Sequence, residues 1–413
     1  MTDTHTVPEE NALPLKRAEA GFAGHELRSR ADTHPAVARK RIALVASLSY
    51  SLVNFRLELM KAMVAAGHEV IAFAPEHDPE IIAKLEEIGA SFVTVPMSRT
   101  GMDPIADLRT LSALVSQFRD LKPDVVLPYT MKPVIYGGIA ARLAGVPKTH
   151  ALMTGLGFIF SDDNMSVRKA LIRKISVILY RIALRNAEKL FIYNSADMND
   201  IERHRMAGRG SELIPVDGSG VDLDLYPQSQ VPDGPARFLL VSRLLGDKGI
   251  REFVEASRIV RAKYPDVIFE ILGPFDSNPA GIRQEEIDAW AREGSVVYRG
   301  ETRDVRPYLA NCSAFVLPSY YREGIPRTLL EALATGRAVV TTDMPGCRET
   351  VVDGENGFLV KPRDAVSLAN ALEKLAANRE LLKSMGQHSL ALARNRFDVN
   401  LINRKLLAAM ELA

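Results

Sequence analysis

Two cations and two carboxylates in the second half of the chain could bind a phosphorylated ligand. Arg243 and Lys248 follow the apolar run RFLLVS, and Glu323 and Glu331 lie eight positions apart in YYREGIPRTLLEALATG. Arginine and lysine are side chains with which proteins bind phosphate, and a carboxylate can accept the hydroxyls of a ribose. Together the four residues predict a site for a nucleotide that carries a diphosphate.

A helix is predicted to carry Glu331. The apolar residues recur with helical spacing, as Ile325, Leu329, Leu330 and Leu333. Glu331 projects away from this stripe, beside Arg327 and Thr328. That face meets either water or a ligand. Glu331 is therefore either a solvated glutamate, paired with Arg327 four positions back, or an acceptor of ribose hydroxyls.

The start of the same helix could bind an anion. Pro326 is expected as its first residue, where a missing N–H is not needed. The amides of Arg327 and Thr328 would then point out of the helix towards a phosphate, and the helix dipole would favour that charge. Glu323 would lie beyond the diphosphate, where it could bind sugar hydroxyls or stabilise positive charge at an anomeric carbon. Alternatively, Glu323 is an ordinary loop residue, and the two cations are ordinary surface residues.

The elements that must position these residues alternate along the chain. From Arg41, short β-rich runs alternate with longer helical patterns; the predicted strands are RIALVASL, HEVIAFAP, ASFVTVPM, DVVLPYT and KTHALMT. The alternation restarts at RFLLVSR, and the further predicted strands are DVIFEILGP, SVVYRG, AFVLPSY, AVVTTD and GFLV. Strands that are apolar on both faces are typical of parallel sheets covered by helices on each side. The sequence thus predicts two doubly wound α/β domains. In such sheets ligands bind beyond the carboxyl ends of the strands, which is where Arg243, Lys248, Gly273 and Glu323 fall.

The expected domain boundaries follow from changes in composition. Residues 1–40 contain neither a steady periodicity nor an apolar run long enough for a signal peptide, and we expect a disordered tail. Residues 41–215 form the first Rossmann-like domain, and residues 216–235, rich in Gly, Pro and Asp, form a linker. The second Rossmann-like domain occupies residues 236–396. A helix at about 397–413 is expected to return and brace the first domain.

Composition excludes several classes of protein. The chain has 413 residues, 47% of them hydrophobic and 25% charged, and its formal net charge is +1. This balance gives no argument for nucleic-acid binding. The two cysteines, Cys312 and Cys347, lack metal-ligand spacing and suit a reducing cytoplasm. No segment approaches the roughly 18 to 20 apolar residues of a membrane-spanning helix.

A basic amphipathic helix is predicted within residues 165–189. One of its faces contains Leu171, Ile175, Ile178, Leu179 and Ile182. The opposite face contains Lys169 and Arg173, and one flank contains Lys174, Arg181 and Arg185. Such a helix can lie on an anionic lipid surface. It can equally pack on the first sheet with a solvated basic face, and the pattern leaves both alternatives open.

Two short motifs are expected to have no catalytic meaning. Asp222 and Asp224 form a D-x-D pair that resembles a metal motif, but they follow Gly-Ser-Gly in the linker, where acids commonly cap turns. GLGF at residues 155–158 is too short for a dinucleotide fingerprint, and neither domain has G-x-G-x-x-G after its first strand. We therefore expect no metal and no nicotinamide cofactor.

Several motifs, taken as a set, resemble those of the family 4 retaining glycosyltransferases of the GT-B fold. They are SRLLGDKGIREFVEA, GPFDSNPAGI, GSGVDLDLY and the long stretch YYREGIPRTLLEALATGRAVVTTDMPGCRETVVDGENGFLV. The similarity covers residues 41–413. Within the family, SLVNFRLELMKAM and YTMKPVIYGGIAARLAGVPKTHALMTGLGFIF are most similar to bacterial enzymes that add sugars to undecaprenyl-diphosphate-linked glycans.

The resemblance implies a role for each residue. Arg243 and Lys248 would bind the donor diphosphate, Glu323 the donor sugar and Glu331 the ribose. Gly324 and Ile325 would supply backbone amides nearby. The implied substrates are a nucleoside-diphosphate sugar, with UDP expected, and a polyprenyl-diphosphate-linked glycan. The implied enzyme is metal-independent, retains anomeric configuration and works on the cytoplasmic face of the membrane.

The sequence departs from the family pattern in the first domain. Many relatives have a Gly-rich loop after the first strand, whereas this chain has SLSYSLVNFR, with Asn54 and Arg56. These two residues are candidates for contacts with the sugar donor or the acceptor substrate in the expected cleft. Relatives also often place a His before a Gly where this chain has Thr154 and Gly155. A front-face reaction, in which the leaving phosphate takes the acceptor proton, needs no such base. The resemblance also leaves open a soluble acceptor, or a protein that binds nucleotide sugars without turnover.

Overall fold

The computed structural model describes residues 38–98, 101, 103–160, 166–276, 278 and 280–413. Within them, thirteen strands form two parallel sheets. The first sheet contains β1 (Arg41–Val45), β2 (Glu69–Ala74), β3 (Ser91–Thr94), β4 (Val125–Pro128), β5 (Lys148–Met153), β6 (Lys189–Ile192) and β7 (Glu212–Pro215). The second contains β8 (Arg237–Val241), β9 (Ile268–Leu272), β10 (Val297–Tyr298), β11 (Ala314–Leu317), β12 (Ala338–Thr342) and β13 (Gly357–Val360).

The order of the strands is that of two doubly wound sheets. The first runs β3-β2-β1-β4-β5-β6-β7, and the second runs β10-β9-β8-β11-β12-β13. In each sheet the first strand in the chain lies centrally, and the direction of winding reverses beside it, between β1 and β4 and between β8 and β11. Ligands of doubly wound sheets bind outside the carboxyl ends of the strands at such points.

The helices cover both faces of each sheet. In the first part of the chain they are α1 (Ser49–Ala65), α2 (Pro79–Glu87), α3 (Pro104–Leu121), α4 (Met131–Ala144), α5 (Val167–Ala183) and α6 (Ser195–Arg203). In the second part they are α7 (Ile250–Lys263), α8 (Gln284–Arg292), α9 (Arg306–Asn311), α10 (Arg327–Ala334), α11 (Ala365–Ala377), α12 (Arg379–Leu392) and α13 (Val399–Ala409). Short 3-10 turns include Phe158–Phe160 and Gly246–Lys248, and a π turn at Ala393–Phe397 leads into α13.

Burial of the strands explains why these segments form sheets. The central strands β1, β4, β8 and β11 are almost completely buried, as expected when helices cover both faces of a parallel sheet. On the first sheet α1 contacts α2 and α13, whereas α3, α4 and α5 contact one another in sequence. The apolar stripe predicted for α10 is confirmed, because Ile325, Leu329, Leu330 and Leu333 are all buried.

The sequence pattern did not predict three elements of the first domain: β6, α6 and β7. The apolar part of β6 is short, and α6 has the sequence SADMNDIER, in which few apolar residues mark a helical period. A second difference is small. Pro326 is the N-cap of α10 rather than its first helical residue, so the helix begins at Arg327.

The linker and the carboxyl terminus return to the first sheet. The described segment between Pro215 and Arg237 contains no helix or strand, and Val221 exchanges backbone hydrogen bonds with Phe397 and Val399 at 2.8 and 3.0 Å. Beyond α13, the carbonyl oxygen of Leu412 lies 3.0 Å from Nε2 of His68, just before β2. The last helix therefore lies against the first sheet, although it follows the second in sequence.

The expected tail of residues 1–40 falls mostly outside the described residues, which begin at residue 38. Its last residue belongs to the fold, because the Lys40 amide donates to Nδ1 of His68 at 3.2 Å and Lys40 Nζ donates to the Glu411 carbonyl at 3.1 Å. Across the described part of the chain, no helix is both long and apolar enough to pass through a bilayer.

Candidate active site

The predicted site residues of the second domain lie where the winding of its sheet reverses. Arg243 and Lys248 follow β8, Gly273 follows β9, and Glu323 follows β11. Because β9, β8 and β11 are neighbours and all run parallel, these residues emerge at the same edge of the sheet. The loops after β5 and β6 of the first domain lie against this edge, because Gly155 and Asn194 contact the segment that carries Glu323.

Lys248 and Glu323 form an ion pair. Lys248 Nζ lies 2.5 Å from Oε1 of Glu323, and the side chains are only 12% and 14% exposed. The Ser319 hydroxyl donates to the same oxygen at 2.8 Å. The 3-10 turn Gly246–Lys248 directs the lysine towards β11, where its ammonium also lies 5.6 Å from the centre of the Tyr321 ring. A carboxylate therefore occupies one side of the ammonium that was predicted to bind phosphate.

Arg243 is paired as well. Its Nη1 lies 2.5 Å from Oδ2 of Asp276, a residue that the sequence analysis did not single out. Gly273 directly follows β9 and lies against the residue that follows β8: a Cβ at this position would be 1.8 Å from the carbonyl oxygen of Ser242. Only glycine fits there, so its role is to let the loop after β9 approach the one after β8. Its carbonyl accepts a hydrogen bond from the Tyr298 hydroxyl at 2.9 Å.

Glu331 is buried, which rules out the first of the two alternatives, a solvated glutamate. Its Oε1 accepts hydrogen bonds from the Tyr226 hydroxyl at 2.9 Å and from Arg327 Nε at 3.0 Å. The pairing with Arg327 was predicted, whereas Tyr226 comes from the linker and was missed. Burial raises the pKa of Glu331, and Arg327 and Tyr226 partly oppose that effect. A buried carboxylate with two fixed donors has a defined orientation, which suits a specific contact with a ligand.

The N-terminus of α10 lies beside these residues. No side chain caps it with a hydrogen bond in the described structure. Ile325 is buried in the core, whereas Arg327 and Thr328 are half-buried, and the Arg327 guanidinium lies 5.9 Å from the centre of the Phe55 ring on α1. The helix start therefore faces the first domain, and its first amides remain free of side-chain caps, as an anion site requires.

Two glycines bring the domains into direct contact. A Cβ on Gly324 would lie 2.2 Å from the carbonyl oxygen of Thr154, and a Cβ on Gly155 would lie 2.8 Å from the Gly324 amide nitrogen. Gly155 also has a φ of +126°, which disfavours any other residue. Thr154 and Gly155 therefore touch the backbone next to Glu323, as expected for cleft residues.

The other two candidates from the first domain lie on α1. Arg56 is buried: its Nη2 donates to the Tyr193 hydroxyl at 2.7 Å, and its guanidinium lies 4.8 Å from the centre of the Tyr129 ring. Direct contact between Arg56 and a ligand is therefore not supported, because aromatic rings enclose it, and it stabilises the wall behind the cleft instead. Asn54 is half-buried.

A buried cluster between the domains was missed entirely by the sequence analysis. Arg322, immediately before Glu323, inserts into the first domain and pairs with Asp197 and Asp200 on α6. Asn194, the N-cap of α6, donates from Nδ2 to the carbonyl oxygen of Glu323 at 3.2 Å. Burial raises the pKa of Asp197, and Arg322 acts in the opposite direction. The sequence signal was Asn194 followed three residues later by an acid, which is typical of a helix start.

The D-x-D pair of the linker caps a turn, as predicted. Oδ1 of Asp222 accepts hydrogen bonds from the amides of Asp224 and Leu225 at 2.9 and 3.2 Å. The described residues contain no group of three or more His, Cys, Asp or Glu side chains that could hold a metal ion.

The basic amphipathic helix is α5, which packs on the first domain through a face other than the predicted apolar one. Leu171, Ile178 and Ile182, on the predicted apolar face, are 58%, 46% and 43% exposed. The buried face contains Ser176, Val177, Tyr180, Ala183 and Lys169. Arg173 also turns inward, where its Nε donates to the Ile159 carbonyl oxygen at 2.8 Å. An aliphatic surface with basic residues on its flank therefore faces outward.

An open cavity of about 780 Å³ lies beside the Gly246–Lys248 turn, between Asp247, Arg251, Glu286 and Tyr320. Arg251 is already engaged by Glu286 at 2.9 Å. None of the predicted donor residues lines this cavity, so we place the site at the Lys248–Glu323 pair instead.

This site between two facing Rossmann-like domains defines a class of protein. Residues 41–194 match the family profile described as "Glycosyl transferase 4-like", and residues 235–378 match "Glycosyl transferases group 1". The chain therefore belongs to the glycosyltransferases of the GT-B fold, which confirms the resemblance found in the sequence.

Among solved structures, sucrose-phosphate synthase from Thermosynechococcus elongatus has a TM-score of 0.73 at 20% identity, covering 90% of this chain and 98% of that one. Anabaena HepE in complex with UDP and glucose has a TM-score of 0.72 at 19% identity, covering 91% and 100%.

Curated relatives extend over most of the chain. One is N,N'-diacetylbacillosaminyl-diphospho-undecaprenol alpha-1,3-N-acetylgalactosaminyltransferase of Campylobacter jejuni, 26% identical over 89% of this chain and 97% of that protein. Another is UDP-Gal:alpha-D-GlcNAc-diphosphoundecaprenol alpha-1,3-galactosyltransferase of Escherichia coli, 26% identical over 70% and 75%. A third is the capsular polysaccharide biosynthesis glycosyltransferase CapM of Staphylococcus aureus, 26% identical over 76% and 82%.

Proposed function

We propose that this glycosyltransferase moves a hexose or N-acetylhexosamine from a nucleoside-diphosphate sugar, with UDP as the nucleotide, to a polyprenyl-diphosphate-linked glycan, and that it retains anomeric configuration. The observation that carries the proposal is the Lys248–Glu323 pair at the point where the winding of the second sheet reverses. A cation and a carboxylate lie there within hydrogen-bond distance, and Gly324 places them against the first domain.

The donor site is formed by the second domain. Arg243 and Lys248 neutralise the diphosphate, and the free amides at the start of α10 contact the same oxygens. Glu331 accepts the ribose hydroxyls. Its oxygen Oε1 already has two donors, so its orientation is set before the ligand arrives. Asp276 and Glu323 lie beside the two cations, at positions that phosphate oxygens of the donor would share or take over.

The reaction needs no metal in this scheme, because two protein cations balance the charge that develops on the leaving diphosphate. The bond between the anomeric carbon and the diphosphate oxygen breaks, and an acceptor hydroxyl oxygen forms its new bond to the same face of that carbon. The acceptor proton passes to the departing phosphate oxygen. Glu323 stabilises the positive charge on the anomeric carbon, and Thr154 and Gly155 border the acceptor side of the site.

The choice of substrates is supported by the relatives. The name of the E. coli relative specifies a UDP-sugar donor and a diphosphoundecaprenol acceptor, and that of the C. jejuni relative specifies a diphosphoundecaprenol acceptor. Each protein is 26% identical to this chain, which supports the chemical class of donor and acceptor. The individual sugar is left to experiment.

A lipid-linked acceptor is met at the membrane, and α5 is the proposed contact. Its outer face combines the exposed Leu171, Ile178 and Ile182 with the exposed Lys174, and Arg185 in the 3-10 turn after the helix is exposed as well. Aliphatic residues can enter the headgroup region while the cations contact anionic lipids, each cation contributing about 1 kcal/mol. We propose that the enzyme works peripherally on the cytoplasmic face of the membrane.

The experiment is a turnover assay with a panel of UDP- and GDP-sugars, each with and without an undecaprenyl-diphosphate-linked acceptor. We expect release of free UDP that requires the lipid-linked acceptor and persists in excess EDTA. NMR of the product should show the same anomeric configuration as the donor. Release with a soluble sugar alone would contradict the proposed acceptor, and binding of donors without any turnover would contradict an enzyme.

A further inference from the structure

The segment that carries Glu323 is attached to both domains. Just before it, the amides of Tyr320 and Tyr321 donate to the carbonyl oxygen of Asp247 at 2.9 and 3.1 Å, within the second domain. Immediately after them, Arg322 leaves the second domain and inserts into the first. Glu323 therefore lies between one attachment in its own domain and another in the facing domain.

The attachment to the first domain is a buried ion-pair network. Nε and Nη2 of Arg322 donate to Oδ1 of Asp197 at 3.0 and 2.7 Å, and Nη1 lies 2.7 Å from Oδ2 of Asp200. Nη1 also donates to the carbonyl oxygen of Phe160 at 2.8 Å. The side chains of Arg322 and Asp197 are 9% and 0% exposed. A planar guanidinium bound on three sides has few alternative positions.

The same aspartate organises the neighbouring backbone. Oδ2 of Asp197 accepts hydrogen bonds from the Leu156 amide at 3.2 Å and from Asn194 Nδ2 at 3.0 Å. Asn194 Nδ2 also donates to the carbonyl oxygen of Glu323 at 3.2 Å. The network thus holds the Glu323 backbone and the loop that begins at Thr154, two parts that meet at Gly155 and Gly324.

We infer that Arg322 is a positioning residue: it attaches the backbone of Glu323 to α6 and thereby sets the carboxylate against Lys248. The inference rests on the proposed function. Arg243, Lys248 and Glu331 belong to the second domain, and none of them contacts Arg322 in the described structure. The proposed diphosphate and ribose contacts, which supply most of the donor affinity, therefore do not depend on the network. The rate of sugar transfer does, because it requires the Glu323 carboxylate at a fixed place.

The kinetic test compares Arg322→Ala, Arg322→Lys and Asp197→Asn with the wild-type enzyme. A misplacement of about 1 Å costs roughly 10²-fold in rate, and we expect that loss in kcat for Arg322→Ala. The donor KM and the Kd for UDP should stay within about threefold. Arg322→Lys keeps the charge but loses the planar guanidinium, so its kcat should fall between that of the wild type and that of Arg322→Ala. A wild-type kcat, or a loss confined to the donor Kd, would overturn the inference.

The control variant, Asn378→Ala, lowers the stability of the fold without changing the segment that carries Glu323. Asn378 caps α12 by accepting a hydrogen bond from the Leu381 amide at 3.0 Å, so Asn378→Ala should lower Tm but keep kcat per folded molecule. If Asn378→Ala loses as much kcat as Arg322→Ala at a matched fall in Tm, the role of Arg322 is merely structural.

Amide hydrogen exchange of residues 319–326 tests the attachment without any substrate. Exchange should be faster in this segment in Arg322→Ala than in wild type or Asn378→Ala, and unchanged exchange overturns the inference. A wild-type protein with no turnover on any donor would refute the proposed function, whereas the exchange result would still decide the attachment. If Arg322→Ala does not fold, Arg322→Lys and Asp197→Asn provide both measurements.

Discussion

Nζ of Lys248 lies 2.5 Å from Oε1 of Glu323, so the more buried cation of the proposed donor site is neutralised by the protein itself. Arg243 shows the same arrangement with Asp276. Both cations are thus held by carboxylates near the position proposed for the diphosphate. A bound diphosphate would replace or share these partners, so each cation has a partner of opposite charge whichever group it contacts.

Glu323→Gln should lower kcat by about 10²-fold and leave the donor KM nearly unchanged. The amide has the shape of the carboxylate but lacks the charge that stabilises the anomeric carbon, and removal of one electrostatic group at a reaction centre has effects of this size. Steady-state kinetics with the best donor measures it. Glu373→Gln is the matched control, because Glu373 also pairs with a lysine, Lys263, at 2.8 Å. Wild-type kinetics in Glu323→Gln would remove Glu323 from the mechanism.

Asp276→Asn should bind UDP up to a few-fold more tightly. The change releases Arg243 from its ion pair, and a partly exposed pair of this kind contributes about 1 kcal/mol. Calorimetric titration of UDP at low and high salt measures the effect, which should shrink as salt screens the charge. The control is Asp233→Asn, which makes the same charge change and breaks a pair with Arg379. Weaker UDP binding in Asp276→Asn would mean that Asp276 itself contacts the ligand.

The pH dependence of UDP binding should report on Glu331. Burial raises its pKa, so Glu331 takes up a proton at a higher pH than an ordinary glutamate does as pH falls. The protonated side chain is a poorer acceptor for two ribose hydroxyls, and UDP affinity should therefore decrease on the acid side.

Glu331→Gln separates this effect from protonation of the phosphate. Protonation of the UDP phosphate affects the wild type and Glu331→Gln equally. The ratio of the two Kd values for UDP therefore isolates the contribution of Glu331. We expect weaker binding to Glu331→Gln at neutral pH, by about 1 to 3 kcal/mol for a lost charged hydrogen bond, and convergence of the two proteins at acid pH. A ratio that does not change with pH would contradict the assignment of Glu331 to the ribose.

The fold could be predicted largely because its strands are apolar on both faces. That pattern needs only local sequence, and it located the strands of the second sheet and β1 to β5 of the first. It failed at α6, since a short helix with so few apolar residues has no clear period, and with α6 the sequence analysis missed Asp197. The outward orientation of α5 also depends on tertiary packing, because an apolar stripe alone does not say what covers it.

The site was predictable where its chemistry is local in sequence. Glu323, Glu331 and Arg327 share one segment, and their spacing indicates which side chains meet. Tyr226 is 105 positions from Glu331, and Asp197 is 125 positions from Arg322, so no pattern in a single sequence connects them. Arg56 shows the reverse limitation: its place in the chain suggested the cleft, but enclosure by Tyr129 and Tyr193 is a property of the folded core.

Reversal of charge on the outer face of α5 should release the protein from anionic vesicles. The structure decides which cations to change. Arg173 turns inward, and Arg181 donates to the carbonyl oxygen of His204 at 2.9 and 2.7 Å, so reversing either would disturb packing. Arg168, Lys174 and Arg185 are exposed. We therefore choose the triple variant Arg168→Glu, Lys174→Glu and Arg185→Glu.

Each cation near an anionic surface contributes about 1 kcal/mol, so the triple variant should bind at least about 10²-fold more weakly. Cosedimentation with vesicles of phosphatidylglycerol and phosphatidylcholine measures this affinity. The control makes the same change in net charge at Lys84, Lys263 and Lys383, on α2, α7 and α12. Turnover with a lipid-linked acceptor in vesicles should fall with binding, while UDP affinity stays unchanged. Equal sedimentation of the triple variant and the control would show that α5 is not the membrane contact.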